Sequence, residues 1–160
     1  SYPTVSKLQS IDVSAFGGVA NSVAVNNGKV AIALEAINKQ ANGSVVVLNA
    51  STLALLRQVT VGAMPDMVTF SPDGAFIVTA NEGEPSTDYN TDPVGSISVI
   101  SVADYGVKTI LFDSFAASLP TLATGGFRVF GPKASFAQDV EPEYVAISAD
   151  SKKAWVTLQE

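Results

Sequence analysis

The chain has 160 residues, 47% of them hydrophobic and 15% charged, a composition that folds around a buried core. Its formal net charge of −6, with no basic stripe, excludes a phosphate backbone and hence nucleic acid as the partner. With no histidine and no cysteine, it also excludes disulfides, ordinary zinc sites and Ser-His or Cys-His catalysis within these residues.

The opening SYPTVSKLQS lacks an initiator Met and a signal-like apolar core, as at a processed mature end or an artificial boundary. Residues 8–13, LQSIDV, read as one β-strand and resemble LRQVTV at 56–61. From Ser22 a pattern begins that recurs. SVAV passes through Asn26-Asn27-Gly28 into KVAIALE, ending at Glu35. MVTF passes through Ser71-Pro72-Asp73-Gly74 into AFIVTANE, ending at Glu82. YVAI passes through Ala149-Asp150-Ser151 into KKAWVTLQE, ending at Glu160. Each is a hairpin: two β-rich runs joined by the residues that tight turns require. Two more strands follow the first hairpin, SVVVLNA and LLRQVTV, and two follow the second, SISVISV and VKTILFD.

The repeating unit is therefore a four-stranded antiparallel meander. Equivalent positions Val23 and Val68 are separated by one unit, within the roughly 40–50 residues of a propeller blade. The expected fold is an all-β propeller, present as two full blades and half of a third. A single β-sandwich of about ten strands is the alternative, disfavoured because the same hairpin recurs three times at blade spacing. The division is 1–16, a strand closing the last blade; 17–62, blade one; 63–113, blade two; 114–142, an inserted blade connection; and 143–160, the first hairpin of blade three. Two and a half blades cannot close a ring, so the partner expected first is the remainder of the same polypeptide, or a completing chain.

Antiparallel geometry puts each second-to-third-strand loop on the same rim as each blade-to-blade connection. Asp66, Asp139, Glu141 and Glu143 in the connections thus share a rim with Glu35, Glu82, Glu84, Asp88, Asp92 and Glu160. Clustered carboxylates repel unless a cation, a basic partner or water compensates. Calcium is the natural cation for oxygens from Asp, Glu, Asn and carbonyls. The metal-ligand candidates are Glu82, Glu84, Asp88, Asn90, Asp92, Asp139, Glu141 and Glu143; Glu35, Asp66, Arg128 and Glu160 are rim candidates. Asp88-x-Asn90-x-Asp92 has the alternating oxygens of a calcium loop. It is not an EF-hand, because Pro93 stands where Gly is needed and Val99 where the bidentate Glu is needed. The alternative for 81–95, NEGEPSTDYNTDPVG, is a solvated loop held by Asx-turns and its two prolines. Gly125-Gly126 and Gly131-Pro132-Lys133 match no phosphate-binding fingerprint. Arg128 pairs with a carboxylate or receives an anionic substrate. Trp155 reads as blade packing. The sequons at Asn42 and Asn49 matter only in a eukaryotic secretory protein.

The segments GGVANSVAV, VTVGAMPDMVTFSPDG, TANEGEPSTDYNTDPVGSISVI, FRVFGPKASFAQDVEPEYVAIS and AWVTLQE together resemble the choice-of-anchor I domain family. These are secreted bacterial β-propellers, often labelled alkaline-phosphatase-like and related to mesenchyme-specific cell-surface glycoproteins. The resemblance runs from about Gly17 to Glu160. It implies a propeller of about seven blades, at the periplasm, cell surface or medium, continuing past Glu160. It makes 81–92 and 139–143 signature segments and carries no catalytic assignment. Three functions follow as expectations. The first is an extracellular or cell-surface binding module, for a surface glycan or protein, with a calcium-holding acidic rim. The second is a calcium-dependent phosphoesterase acting on a phosphate ester; the third is a surface-layer or filament component.

Overall fold

The computed structural model describes Thr4, Ser6, Lys7 and residues 9–159. Four strands, β1 (Ala20–Asn26), β2 (Lys29–Leu34), β3 (Asn42–Asn49) and β4 (Leu55–Ala63), form one antiparallel sheet in the order β1-β2-β3-β4. A second meander repeats it with β5 (Pro65–Phe70), β6 (Phe76–Asn81), β7 (Ser96–Ser101) and β8 (Val107–Leu111). A third sheet holds β9 (Pro142–Ile147) and β10 (Ala154–Leu158). The first strands of the blades stand side by side. Across β1 and β5, Ser22 Oγ accepts from Val68 N (3.2 Å) and Asn26 Nδ2 donates to the Ser71 carbonyl (3.1 Å).

The turns explain why the repeat was readable. Asn27 and Gly28 have φ of 43° and 72°, the paired left-handed conformation of a tight two-residue hairpin, which Asn and Gly adopt at least cost. In the longer turns one arrangement occurs twice. Ser71 and Ser148 each donate Oγ to an aspartate two residues on, Asp73 and Asp150, at 2.6 Å. Each serine Oγ also accepts the backbone N–H that reopens the strand, from Phe76 and Lys153, at 2.9 Å. Both hairpins are thus fixed in the same register.

Sheet faces stack through apolar side chains. Val45 and Val47 of β3 point toward blade two, packing with Val68, Ile77 and Ile100, while Val46 and Leu48 point the other way. All four are at most 2% exposed. A middle strand buried on both faces reads as the unbroken apolar run VVVL, and each such side chain stabilises by about 1.5–3 kcal/mol. The far face of blade two, Val78 and Ala80, packs on Val145 with Ile147 and Val156 of blade three. On the far face of blade one, Val13 and Phe16 cover Ile32, Leu34, Val46 and Leu48.

Two segments stand outside the meanders. Residues 9–13, expected as a strand that closes the last blade, pair with none of the strands of these blades; Leu8 lies outside the described residues. Apolar contact, through Val13, is what this segment makes. The connection from β8 to β9 carries a 3-10 helix (Asp113–Ser118) and helices α1 (Leu119–Thr124) and α2 (Phe136–Asp139). In α2, Ser135 and Gln138 form a reciprocal capping box, with Ser135 N donating to Gln138 Oε1 at 2.8 Å.

Candidate functional site

At the start of blades two and three the chain makes the same unusual step. Met64 (φ 48°) and Glu141 (φ 35°) are left-handed residues directly before a proline that opens the innermost strand. The Met64 carbonyl accepts from Glu82 N (2.9 Å), and the Glu141 carbonyl accepts from Gln159 N (3.0 Å). In blade one the matching bond runs from Glu35 N to the Val19 carbonyl (3.0 Å). Glu35, Glu82 and Gln159 are therefore equivalent. The sequence reading put Glu160 at this position; the pairings Asn81 with Pro65 and Leu158 with Pro142 place Gln159 there. Glu160 itself lies outside the described residues. Asp66 and Glu143 are likewise equivalent, each following its proline.

These steps bring Glu82, Asp66, Glu143 and Glu84 within electrostatic reach of one another. Lys39, from the β2–β3 loop, forms an ion pair with Glu84, both side chains being about 40% exposed (43% and 40%). Gln40 Nε2 donates to the Glu84 carbonyl (3.4 Å). Glu82 is only 8% exposed, and among the described residues its carboxyl has no hydrogen bond. Burial first, and then the charges of Asp66, Glu84 and Glu143, push its pKa up from 4.5 to about 7. Burial, then Glu143 and Glu84, also raises Asp66. The hydrogen bond from Lys39 to Glu84 raises the lysine. Glu82 and Glu84 line an open cleft of about 560 Å³ with Lys39, Ser86, Tyr89 and Glu141.

A second cleft of about 290 Å³ adjoins it, sharing Pro85, Tyr89 and Glu141 and containing Asp92 and Asp139. Asp139, 3% exposed, accepts from the backbone N–H groups of Phe130 and of Gly131, the latter at 2.6 Å. A Cβ at Gly131 would lie 2.6 Å from Asp139 Oδ1 and 2.9 Å from Ala134 Cβ, so any larger residue would displace the clamp. Gln138 Nε2 donates to the Asp92 carbonyl (2.7 Å) and Gly95 N to the Ala137 carbonyl (2.8 Å), binding the insertion to the β6–β7 loop. Among the described residues Asp92 Oδ1 is buried without a hydrogen-bond partner, and burial followed by the Asp139 charge raises its pKa.

The candidates thus divide. Glu82, Glu84, Asp66 and Glu143 gather around Lys39; Asp92 and Asp139 form a neighbouring pair, with Glu141 lining both clefts; Glu35 contributes its charge to Lys39. Asp88 and Asn90 stand apart at the loop tip. There Asp88 accepts from Ser86 Oγ (2.7 Å), Asn90 N (3.1 Å) and Asn90 Nδ2 (2.7 Å), and the Ser86 bond foremost lowers its pKa. These oxygens close an Asx-turn. Arg128 lies over the Phe130 ring, 5.8 Å from its centroid. Among the described residues no three or more acidic side chains are grouped as a metal cage. The sequence reading missed Lys39, Gln40, Ser86, Tyr89 and Gln159. Lys39 was findable, since its loop occupies in blade one the place that the acidic loop occupies in blade two.

Meanders stacked face to face, with their first strands adjoining and their connections on one rim, define a β-propeller; this chain supplies two four-stranded blades and the first hairpin of a third. Its sequence matches the choice-of-anchor I domain family over residues 2–160, and the chain belongs to that family. No curated protein matches it. It is similar in structure to Kuenenia stuttgartiensis hydrazine synthase, at TM-score 0.53 and 12% identity over 84% of this chain and 35% of that chain. A eukaryotic initiation factor gives TM-score 0.50 and 14% identity over 92% of this chain and 27% of that chain. The β-propeller domain of the trilobed protease from Pyrococcus furiosus, with an open velcro topology, gives 0.49 and 17% over 86% and 33%. The chain spans about a third of the length of these structures. At such identities the likeness concerns the fold alone. Among the described residues no helix is long and apolar enough to cross a membrane.

Proposed function

We propose that this chain is part of an extracellular or cell-surface β-propeller that acts as a binding module, with the acidic rim taking up cations. The observation that carries the reading is Glu82: a residue 8% exposed in a cleft wall, its carboxyl facing the charges of Asp66, Glu84 and Glu143 and without a hydrogen bond among the described residues. Such a group is costly unless neutralised by a proton or a cation. Calcium remains the inorganic candidate, as a hard cation served by oxygen donors. Glu82, Glu84, Asp66 and Glu143 would supply charge there, and Asp92 with Asp139 a second acidic pair.

The test is thermal unfolding of the intact protein with calcium and with chelator, alongside an assay of phosphate-ester turnover. A reversible rise in Tm with calcium and no turnover is the expected outcome. Turnover that depends on calcium would replace this reading with a phosphoesterase; no response to any cation would remove the cation-binding rim.

The exposed faces support completion by further blades of the same polypeptide. Val23 and Val25 on β1 are 63% and 68% exposed, and Tyr144 and Trp155 on the third sheet 58% and 59%. Both pairs lie on faces equivalent to those that blades one and two bury against their neighbours.

A further inference from the structure

The larger cleft carries an ammonium group in its wall, and only part of its acid is used by it. Lys39 reaches in from the β2–β3 loop and pairs with Glu84. Glu82, equally part of the wall, is more than nine-tenths buried and has no hydrogen bond among the described residues. The acids here do not form a group of three that would hold a metal ion among the described residues. The cleft's volume of about 560 Å³ has room for a small molecule. Ser86 supplies a hydroxyl at its edge, and the half-exposed ring of Tyr89 an aromatic surface against which an alkyl chain or a cation packs.

We infer that this cleft binds a primary alkylammonium group, with Glu82 as the anionic anchor and Lys39 as an internal competitor for the same wall. The inference deepens the cation-binding reading and rests on it. An alkylammonium carries three donors on a flexible stem, so it satisfies a carboxylate that lacks a hydrogen bond without the six or more oxygens that calcium demands. Two sources share this chemistry: a free diamine and a lysine side chain presented by a partner protein.

Calorimetric titration of the intact protein at pH 8 separates them, with 1,5-diaminopentane in one arm and a Gly-Ser-Lys-Ser-Gly peptide in the other. The Nε-acetylated peptide and calcium chloride serve as controls. Binding in either arm is expected, with loss of the peptide signal on acetylation; the arm that binds identifies the source. Glu82→Gln, which preserves shape, should weaken binding by about thirtyfold or more, the cost of removing one partner of a buried charge pair. Lys39→Met, at an exposed position where folding is not at stake, should tighten binding by up to about fivefold, the worth of an exposed ion pair. No binding in either arm overturns the inference, as does binding that Glu82→Gln leaves unchanged or Lys39→Met weakens. Calcium binding without amine binding overturns the inference alone and leaves the cation-binding rim standing.

Discussion

Glu82 concentrates the electrostatic cost of the rim in one carboxyl. Because its pKa rises from 4.5 in an ordinary setting to about 7 in the fold, the folded state binds more protons than the unfolded chain between those values. Stability is therefore greatest below the lower value and falls as pH rises through the upper one. The loss for this group is at most about 3 kcal/mol, reduced by the solvent that reaches its carboxyl, and Asp66 shifts in the same direction. Urea unfolding between pH 5 and pH 8 should show this decline in the unmodified protein and a much flatter profile in Glu82→Gln. An equally steep decline in the variant would assign the cost to other groups. The sequence disclosed that Glu82 was acidic and at a strand end. It could not disclose that blade packing would remove its water, because Asp66 and Glu143 come from the starts of two different blades.

Among the elements, the insertion between β8 and β9 depends most on a single side chain. Asp139 holds the Phe130 and Gly131 N–H groups, and Gln138 on the same short helix holds the Asp92 carbonyl. Asp139→Ala should destabilise by about 3 kcal/mol through lost charge-assisted bonds and orphaned donors. Hydrogen exchange should speed up first at the Phe130 and Gly131 amides; unchanged protection there would refute the clamp. The hairpins, in contrast, were legible in advance, since Asn-Gly and Ser-x-Asp turns act within a few residues. The helices of the insertion were not: α1 and α2 have six and four residues, too short for a helical period to emerge from the sequence.

At the scale of the molecule, stability comes from sheet faces pressed together. Ile77, fully buried between blades one and two, should cost about 2–5 kcal/mol on replacement by Ala, measured by denaturant unfolding. The two outer faces should reveal themselves by association. The 160-residue segment expressed alone should self-associate through Val23, Val25, Tyr144 and Trp155, as exposed apolar patches do. Val25→Lys combined with Trp155→Lys should return it to monomer by light scattering coupled to size exclusion. A segment that is already monomeric would mean that these faces need no cover.

What the sequence by itself determined is local and periodic: the strands, their turns, the blade length and the acidic character of one rim. Each is set by alternation, by turn chemistry or by topology, and none needs a distant contact. The tertiary structure alone decided which acids meet. It placed Gln159 rather than Glu160 beside the blade start, turned the oxygens of Asp88 and Asn90 into their own loop, and set Lys39 against Glu84 across two blades. It also left Glu82 buried without a hydrogen bond among the described residues. Those outcomes depend on backbone register and on the approach of residues far apart in the chain, and charge counted along a sequence carries neither.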